Sequence, residues 1–254
     1  MDYLKNINLH ERDKYIEFDE PTHTYTIKGD SNYTSVTTWN HSHFEEFDAD
    51  KIITNMMKSK NWQLGHKYYG MTPDQIKAAW DKNRDEAAAA GTKMHYNIEC
   101  YYNNIEVEDD SIEYKYFQNY LKDFGHFKAY RTEWTVYDEE LKLAGSIDMV
   151  YENDDGTLMI YDWKRSRSIE KANGWDKWAN KECISHLPDT NYWHYSLQLN
   201  TYKALLEKNY NKKVTSLYLV CLHPNNKRGN YELFKVPDLQ KEIANLFELR
   251  KICI

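Results

Sequence analysis

The sequence predicts an α/β (α+β) fold, with a mostly helical first part and a sheet-based core behind it. Three observations carry this. Residues 72–102 and 111–124 have helix starts and helix-forming composition. Residues 131–164 hold stretches rich in β-branched and aromatic residues, split by a polar turn. Strand-like stretches at 216–222 and 231–236 then follow a long helical segment over 191–208, and a last helix spans 239–251.

Taken in order, residues 15–28 alternate as a β-hairpin does, turning at Asp19-Glu20-Pro21-Thr22, with Lys28-Gly29-Asp30 as the next turn. Residues 34–38 are a short polar, β-branched stretch. A helix over 48–60 puts Ile52, Ile53, Met56 and Met57 on one face. Thr72-Pro73-Asp74-Gln75 combines an N-cap threonine, a proline at the first helical position and a glutamine three residues after the cap. Gly91, behind Ala87 to Ala90, is expected to kink or break that helix. Residues 143–151 and 157–164 read as strands around a turn at 153–156, which makes an antiparallel hairpin. No repeat or low-complexity linker interrupts the chain. Residues 1–90 therefore read as a cap of hairpin and helices integrated with a core over 91–254.

Composition narrows the class. At 254 residues the chain can bury about 70–75 % of its unfolded surface. With 41 % hydrophobic and 15 % aromatic residues it is not disordered. It has no apolar run of membrane-span length and no signal-peptide stretch after Met1, so an intracellular, non-secreted, non-membrane protein is expected. Cys100, Cys183, Cys221 and Cys253 form no CxxC pair, which points to reduced structural thiols. The formal charge of −7 is nearly silent, because a local basic channel can sit on an acidic body.

The chemistry concentrates in the hairpin. Asp162 and Lys164 are two apart and share one face of the second strand, and Asp148 can approach that face from the first. Two carboxylates in one pocket repel unless a cation lies between them, and a hard ion such as Mg²⁺ or Mn²⁺ prefers oxygen ligands. An ammonium beside them can orient a water and stabilise charge on a phosphate. A surface hairpin with a plain salt bridge from Lys164 is the alternative reading. His95 and Glu99 lie four apart on one helical face, and the imidazole can complete the coordination that Asp148 and Asp162 begin. Alone, that pair reads as a surface His/Glu couple. Gln198 and Tyr202, also four apart, offer an amide and a phenol from the 191–208 helix. Beyond Lys164, the run Arg165-Ser166-Arg167-Ser168 and Lys171, Lys177 and Lys181, interleaved with Trp175 and Trp178, can contact nucleic acid. A solvated loop explains that run equally well. His41, His43, Glu45 and Glu46 read as a polar surface loop, and Glu106, Glu108, Asp109 and Asp110 as helix-dipole and solubility charge.

In this order, Gly91…His95…Glu99, Glu133, Gly145-Ser146-Ile147-Asp148, Asp162-Trp163-Lys164 and Gln198…Tyr202 resemble the PD-(D/E)xK nuclease superfamily over residues 91–223. Within it the pattern is similar to the RecB-like branch, which includes lambda-type and mitochondrial genome-maintenance exonucleases. The resemblance implies a restriction-endonuclease-like core, a central mixed sheet flanked by helices. It implies that His95, Asp148, Asp162 and the backbone carbonyl of Trp163 hold Mg²⁺ or Mn²⁺ and that Lys164 activates the attacking water. Gln198 and Tyr202 would support Lys164 or contact the strand, with Arg165, Ser166 and Arg167 on the nucleic acid and Glu99 and Glu133 auxiliary. The implied activity is metal-dependent hydrolysis of DNA phosphodiesters, as an exonuclease on ends or single strands in replication, recombination or repair. A structure-selective endonuclease and a non-catalytic nucleic-acid-binding protein are the alternatives. DNA is the implied partner, with a recombination or replication protein as a further one. The cysteine spacing departs from that of iron–sulfur members, so no cluster is expected. Asn-, Lys-, Tyr- and Ile-rich usage hints at an AT-rich genome such as that of a virus or phage.

Overall fold

A computed structural model describes residues 1–174 and 176–254. A short helix α1 (Tyr3–Ile7) precedes the hairpin β1 (Ile16–Asp19) and β2 (Thr24–Ile27), then β3 (Thr34–Ser35), α2 (Val36–His41), α3 (Ala49–Met57), α4 (Pro73–Tyr102) and α5 (Ile112–Phe124). The second half runs β4 (Lys128–Asp138), β5 (Leu143–Glu152), β6 (Leu158–Lys164), α6 (Asn191–Asn209), β7 (Val214–Cys221), β8 (Glu232–Lys235) and α7 (Gln240–Cys253).

The predicted elements are present, and two local readings need correction. The stretch 34–38 holds a two-residue strand, and the Ser35 hydroxyl accepts from the Thr38 N–H and caps α2. Gly91 does not end α4, which continues to Tyr102. An interior glycine costs about 1 kcal/mol, too little to stop a helix started by a complete capping box, Thr72 with Gln75. Asp109 is no mere solubility charge. It accepts from Lys93, from Asn97 and from Ser111, tying α4 to the start of α5.

The main sheet is mixed. β4, β5 and β6 are antiparallel neighbours, β7 is parallel to β6, and β8 closes the far edge antiparallel to β7. Alternation sorts the two faces. Ile160, Leu217 and Leu219 join the cluster under α2, α6 and α7, whereas Tyr151, Tyr161, Trp163 and Val220 join the cluster under α4 and α5. Asp162 and Lys164 share the parity of Ile160 and so lie on the α6 side. Sequence position 90 falls inside α4. Among the described residues no helix is long and apolar enough to cross a membrane.

One detail of the sheet creates the site. β4 follows one edge of β5 along its whole length, so β3 and β6 must share the other edge. β3 takes Leu143 and Ala144 in parallel, and β6 takes Met149 to Glu152. Between them, Gly145 to Asp148 have no strand partner on that edge. The β5–β6 ladder stops one step before Asp148 would face Asp162, and the strands splay there.

Candidate active site

The splay brings the candidate side chains together. The backbone N–H of Trp163 donates to the Asp148 Oδ2 at 2.9 Å, so the carboxylate takes the place of the missing ladder bond. Gly145 leaves room for α6: a Cβ there would stand 2.8 Å from the Tyr202 ring and its hydroxyl oxygen. Opposite, Glu133 leaves the ladder with a φ of 42°, a left-handed backbone that costs a non-glycine residue about 1–3 kcal/mol. Its Oε2 accepts from the Ser146 hydroxyl at 2.8 Å. That turn brings Glu133 to His95, whose Nδ1 lies 3.7 Å from Glu133 Oε1 and 3.5 Å from Asp148 Oδ2.

Ligand-capable atoms of His95, Glu133 and Asp148 all lie within 4.8 Å of one another. Those gaps exceed ordinary hydrogen bonds. They match the spacing of ligands around one ion at about 2.1 Å from each oxygen or nitrogen. Asp162 stands beside this trio rather than in it. Its Oδ2 lies 2.7 Å from Lys164 Nζ, but without the alignment of a hydrogen bond, so a buried carboxylate oxygen is left open to another cation. The residues present therefore fit a divalent ion.

Electrostatics supports the same reading. Burial, then the neighbouring Asp162 carboxylate, push the Asp148 carboxyl up to about 7. Burial by itself would lower His95, but the carboxylates of Asp148 and Glu133 reverse this and hold it at about 9. Glu99, one turn further along α4, rises to about 7 through burial and the Glu133 charge. Burial opposes the ammonium of Lys164 as well, yet Asp162 and Asp148 keep its pKa above the ordinary value.

These shifts predict how a metal acts on stability. A raised Asp148 favours the fold at low pH and withdraws that support as pH climbs from about 4 towards 7. A divalent ion restores the missing counter-charge, and it competes with protons on Asp148 and His95. Mn²⁺ is therefore expected to raise the melting temperature, with the rise growing between about pH 5 and pH 8. Each displaced proton changes apparent affinity up to tenfold per pH unit. Thermal scans with and without Mn²⁺ across that range check it, and a pH-independent shift would remove these two residues as ligands.

Lys164 is held from several sides. Its Nζ is 3.5 Å from Gln198 Oε1 and 4.5 Å from the Tyr195 ring centroid, and Gln198 Nε2 donates to Thr37 Oγ1 at 3.2 Å. Thr37 and Tyr195 were not singled out from sequence. Tyr195 lies one turn before Gln198 on the same face of α6, a spacing from which it could have been found. Tyr202 and Gln198 are both buried, so they support Lys164 and β5 from beneath. Trp163 packs edge-on to Phe117 and Tyr120, which fixes the backbone between Asp162 and Lys164.

The basic run beyond Lys164 is partly committed to the fold. Arg165 Nε donates to Glu113 of α5 at 2.7 Å, and the Ser166 hydroxyl donates to the Ser168 carbonyl. Arg167 is exposed, Lys177 pairs with Glu45, and Trp178 donates to Asp176. Trp175 lies outside the described residues. The supposed surface loop at 41–46 is mixed: His41 is exposed, whereas His43 is buried between Trp39 and its neighbours with its pKa lowered by burial to about 4.

The model of the PD-(D/E)XK nuclease superfamily matches residues 46–251. The chain belongs to this superfamily. Nucleases of this superfamily are hydrolases that use divalent metal ions, and the His95, Glu133 and Asp148 cluster could hold such an ion. Two solved structures resemble the nuclease at low identity. The crystal structure of SSO0001 is 15 % identical with a TM-score of 0.40, covering 88 % of this chain and 77 % of that one. A "Putative exonuclease" from Eubacterium rectale is 10 % identical with a TM-score of 0.39, covering 87 % and 78 %. No curated protein matches the nuclease.

Proposed function

We propose that the chain is a metal-dependent deoxyribonuclease of the RecB-like branch, an exonuclease that works on DNA ends or single strands. The observation that carries this is the convergence of His95, Glu133 and Asp148 with the Asp162–Lys164 pair at the splayed end of β5 and β6. His95, Asp148 and Asp162, with the backbone carbonyl of Trp163, hold Mg²⁺ or Mn²⁺, and Glu133 joins the metal side of the site. When bound, the ion polarises the phosphate and neutralises the charge building on it.

The protein's own groups do the rest. Lys164 is cationic at neutral pH, so it acts by donating to the attacking water and to the phosphate, not by accepting a proton. Gln198 and Tyr195 aim that ammonium, and Glu99, whose carboxyl is raised to about 7, is placed to exchange a proton near neutrality. Tyr202 acts through β5. Arg167 and the free donors of Arg165, with Ser166, meet the strand beyond the scissile bond. Residues 1–90 form a cap that shapes the DNA entrance, with the nuclease core over 91–254. An intracellular setting, and a replication or recombination protein as partner, complete the reading.

The test compares end-labelled linear single-stranded and duplex DNA, a closed circle and an RNA strand, each with Mg²⁺, Mn²⁺ or EDTA. Loss of linear DNA alone, abolished by EDTA, is the expected outcome. Cutting of the circle would replace the exonuclease reading with an endonuclease one, and loss of RNA alone would remove the DNA assignment.

A further inference from the structure

A groove of about 1260 Å³ opens between α2, α3, the 58–72 connection and the start of α6. It borders the candidate active site through Thr37. Thr37 lines it and also accepts the Gln198 amide that holds Lys164, and His41 on its wall lies within electrostatic reach of Lys164. Its floor is apolar and aromatic. Phe44 stacks on His194 with centroids 3.9 Å apart, and Phe47, 72 % exposed, lines the groove with Ile52 and Met56, its ring 5.8 Å from that of Trp80.

Charge is distributed differently. The groove's acids are mostly engaged in the fold: Glu45 with Lys51 and Lys177, Asp189 with His194, and Asp48 on the Lys51 N–H as the cap of α3. Glu46 is exposed. The adjoining connection carries Lys58, Lys60 and Lys67, all exposed, and no Asp or Glu occurs from residue 58 to residue 73. Among the described residues these three lysines pair with no carboxylate within 4.0 Å; Lys67 lies over the Tyr68 ring. Trp62, Tyr68 and Tyr69 are interleaved with them.

An apolar, aromatic floor beside a connection with three exposed lysines is the complement of a strand with unpaired bases: bases stack inward and phosphates run along the lysines. A duplex keeps its bases stacked on one another and offers only phosphates, leaving such a floor unused. We propose that this groove binds an unpaired stretch of the nucleic-acid strand being cut, with Phe47 stacking a base and Lys58, Lys60 and Lys67 meeting phosphates. This rests on the nuclease reading above and adds to it where the strand lies and in what form.

Fluorescence anisotropy tests it, on the wild-type background in EDTA. The probes are a labelled oligothymidylate, its duplex with oligoadenylate and an oligouridylate, titrated over a range of salt. Wild-type cleavage of linear single-stranded DNA with Mg²⁺ or Mn²⁺ is measured beside them. Phe47→Ala is expected to weaken single-strand binding about 5- to 100-fold. Replacing Lys58, Lys60 and Lys67 together by alanine is expected to reduce the salt slope by about 2, whereas alanines at the exposed Lys82, Lys122 and Lys235 leave it nearly unchanged. Unaltered melting temperatures exclude misfolding. If wild type cleaves but both groove variants bind like their parent, or duplex is bound as well and lost as much, the groove proposal is overturned and the nuclease reading stands. If wild type neither cleaves nor binds any strand, both fall.

Discussion

Lys164→Ala is expected to lower DNA cleavage by about 10³-fold or more at saturating metal, chiefly in kcat. The ammonium is fixed by Asp162 at 2.7 Å, by Gln198 at 3.5 Å and by the Tyr195 ring at 4.5 Å, so no flexible group can replace it. Alanine also leaves the buried Asp162 carboxylate without its cation, which costs stability in the absence of metal. The two effects separate by metal. Saturating Mn²⁺ supplies charge to Asp162 and should restore much of the melting temperature, while cleavage stays lost. Full activity in Lys164→Ala would remove the residue from the reaction.

The largest effect on stability is expected far from the site. The Asp13 side chain is 7 % exposed and accepts from the Arg131 guanidinium at 2.8 Å, the Trp134 indole at 3.0 Å and the His10 backbone N–H at 3.0 Å. It pins the N-terminal segment to β4. Asp13→Ala strands a buried guanidinium and should cost about 3–5 kcal/mol, or about 10 °C in melting temperature for a chain of this size. Asp13→Ala with Arg131→Met should recover part of the loss, because an apolar pair leaves no charge uncompensated. The pH profile has a defined sign. Burial would raise Asp13, but the hydrogen bonds from Arg131 and His10 outweigh it and lower its pKa. Its contribution is therefore complete above about pH 4 and fades as pH falls through the depressed value. Urea unfolding of the three proteins at pH 7 and pH 3 checks this; equal stabilities at pH 7 would show that the pair is idle.

Much of the site was legible in the sequence because its parts are local. A turn of fixed length aligns Asp148 with Asp162, strand alternation places Lys164 beside Asp162, and helical spacing puts Gln198 and Tyr202 on one face. What remained hidden depends on long-range register. The point where the β5–β6 ladder stops is set by β3, which pairs with β5 from a distant part of the chain. Glu133 appeared as an auxiliary residue because a left-handed turn inside a strand has no pattern to announce it. Gly91 misled by weighing one weak position against a strong cap. The lysine-rich, acid-free stretch before Thr72 was visible, but without the groove beside it nothing marked it as more than a connection.

The order of the sheet has a consequence during synthesis. β6, which carries Asp162 and Lys164, lies between β5 and β7, and Lys164 is registered against Cys221. Its inner neighbour is thus made more than fifty residues after it, and the α6 side chains that aim Lys164 also come later. A nascent chain that has just completed the β5–β6 hairpin presents an open strand edge and an unsupported lysine. Competence to cut is therefore expected only after α6 and β7 have emerged.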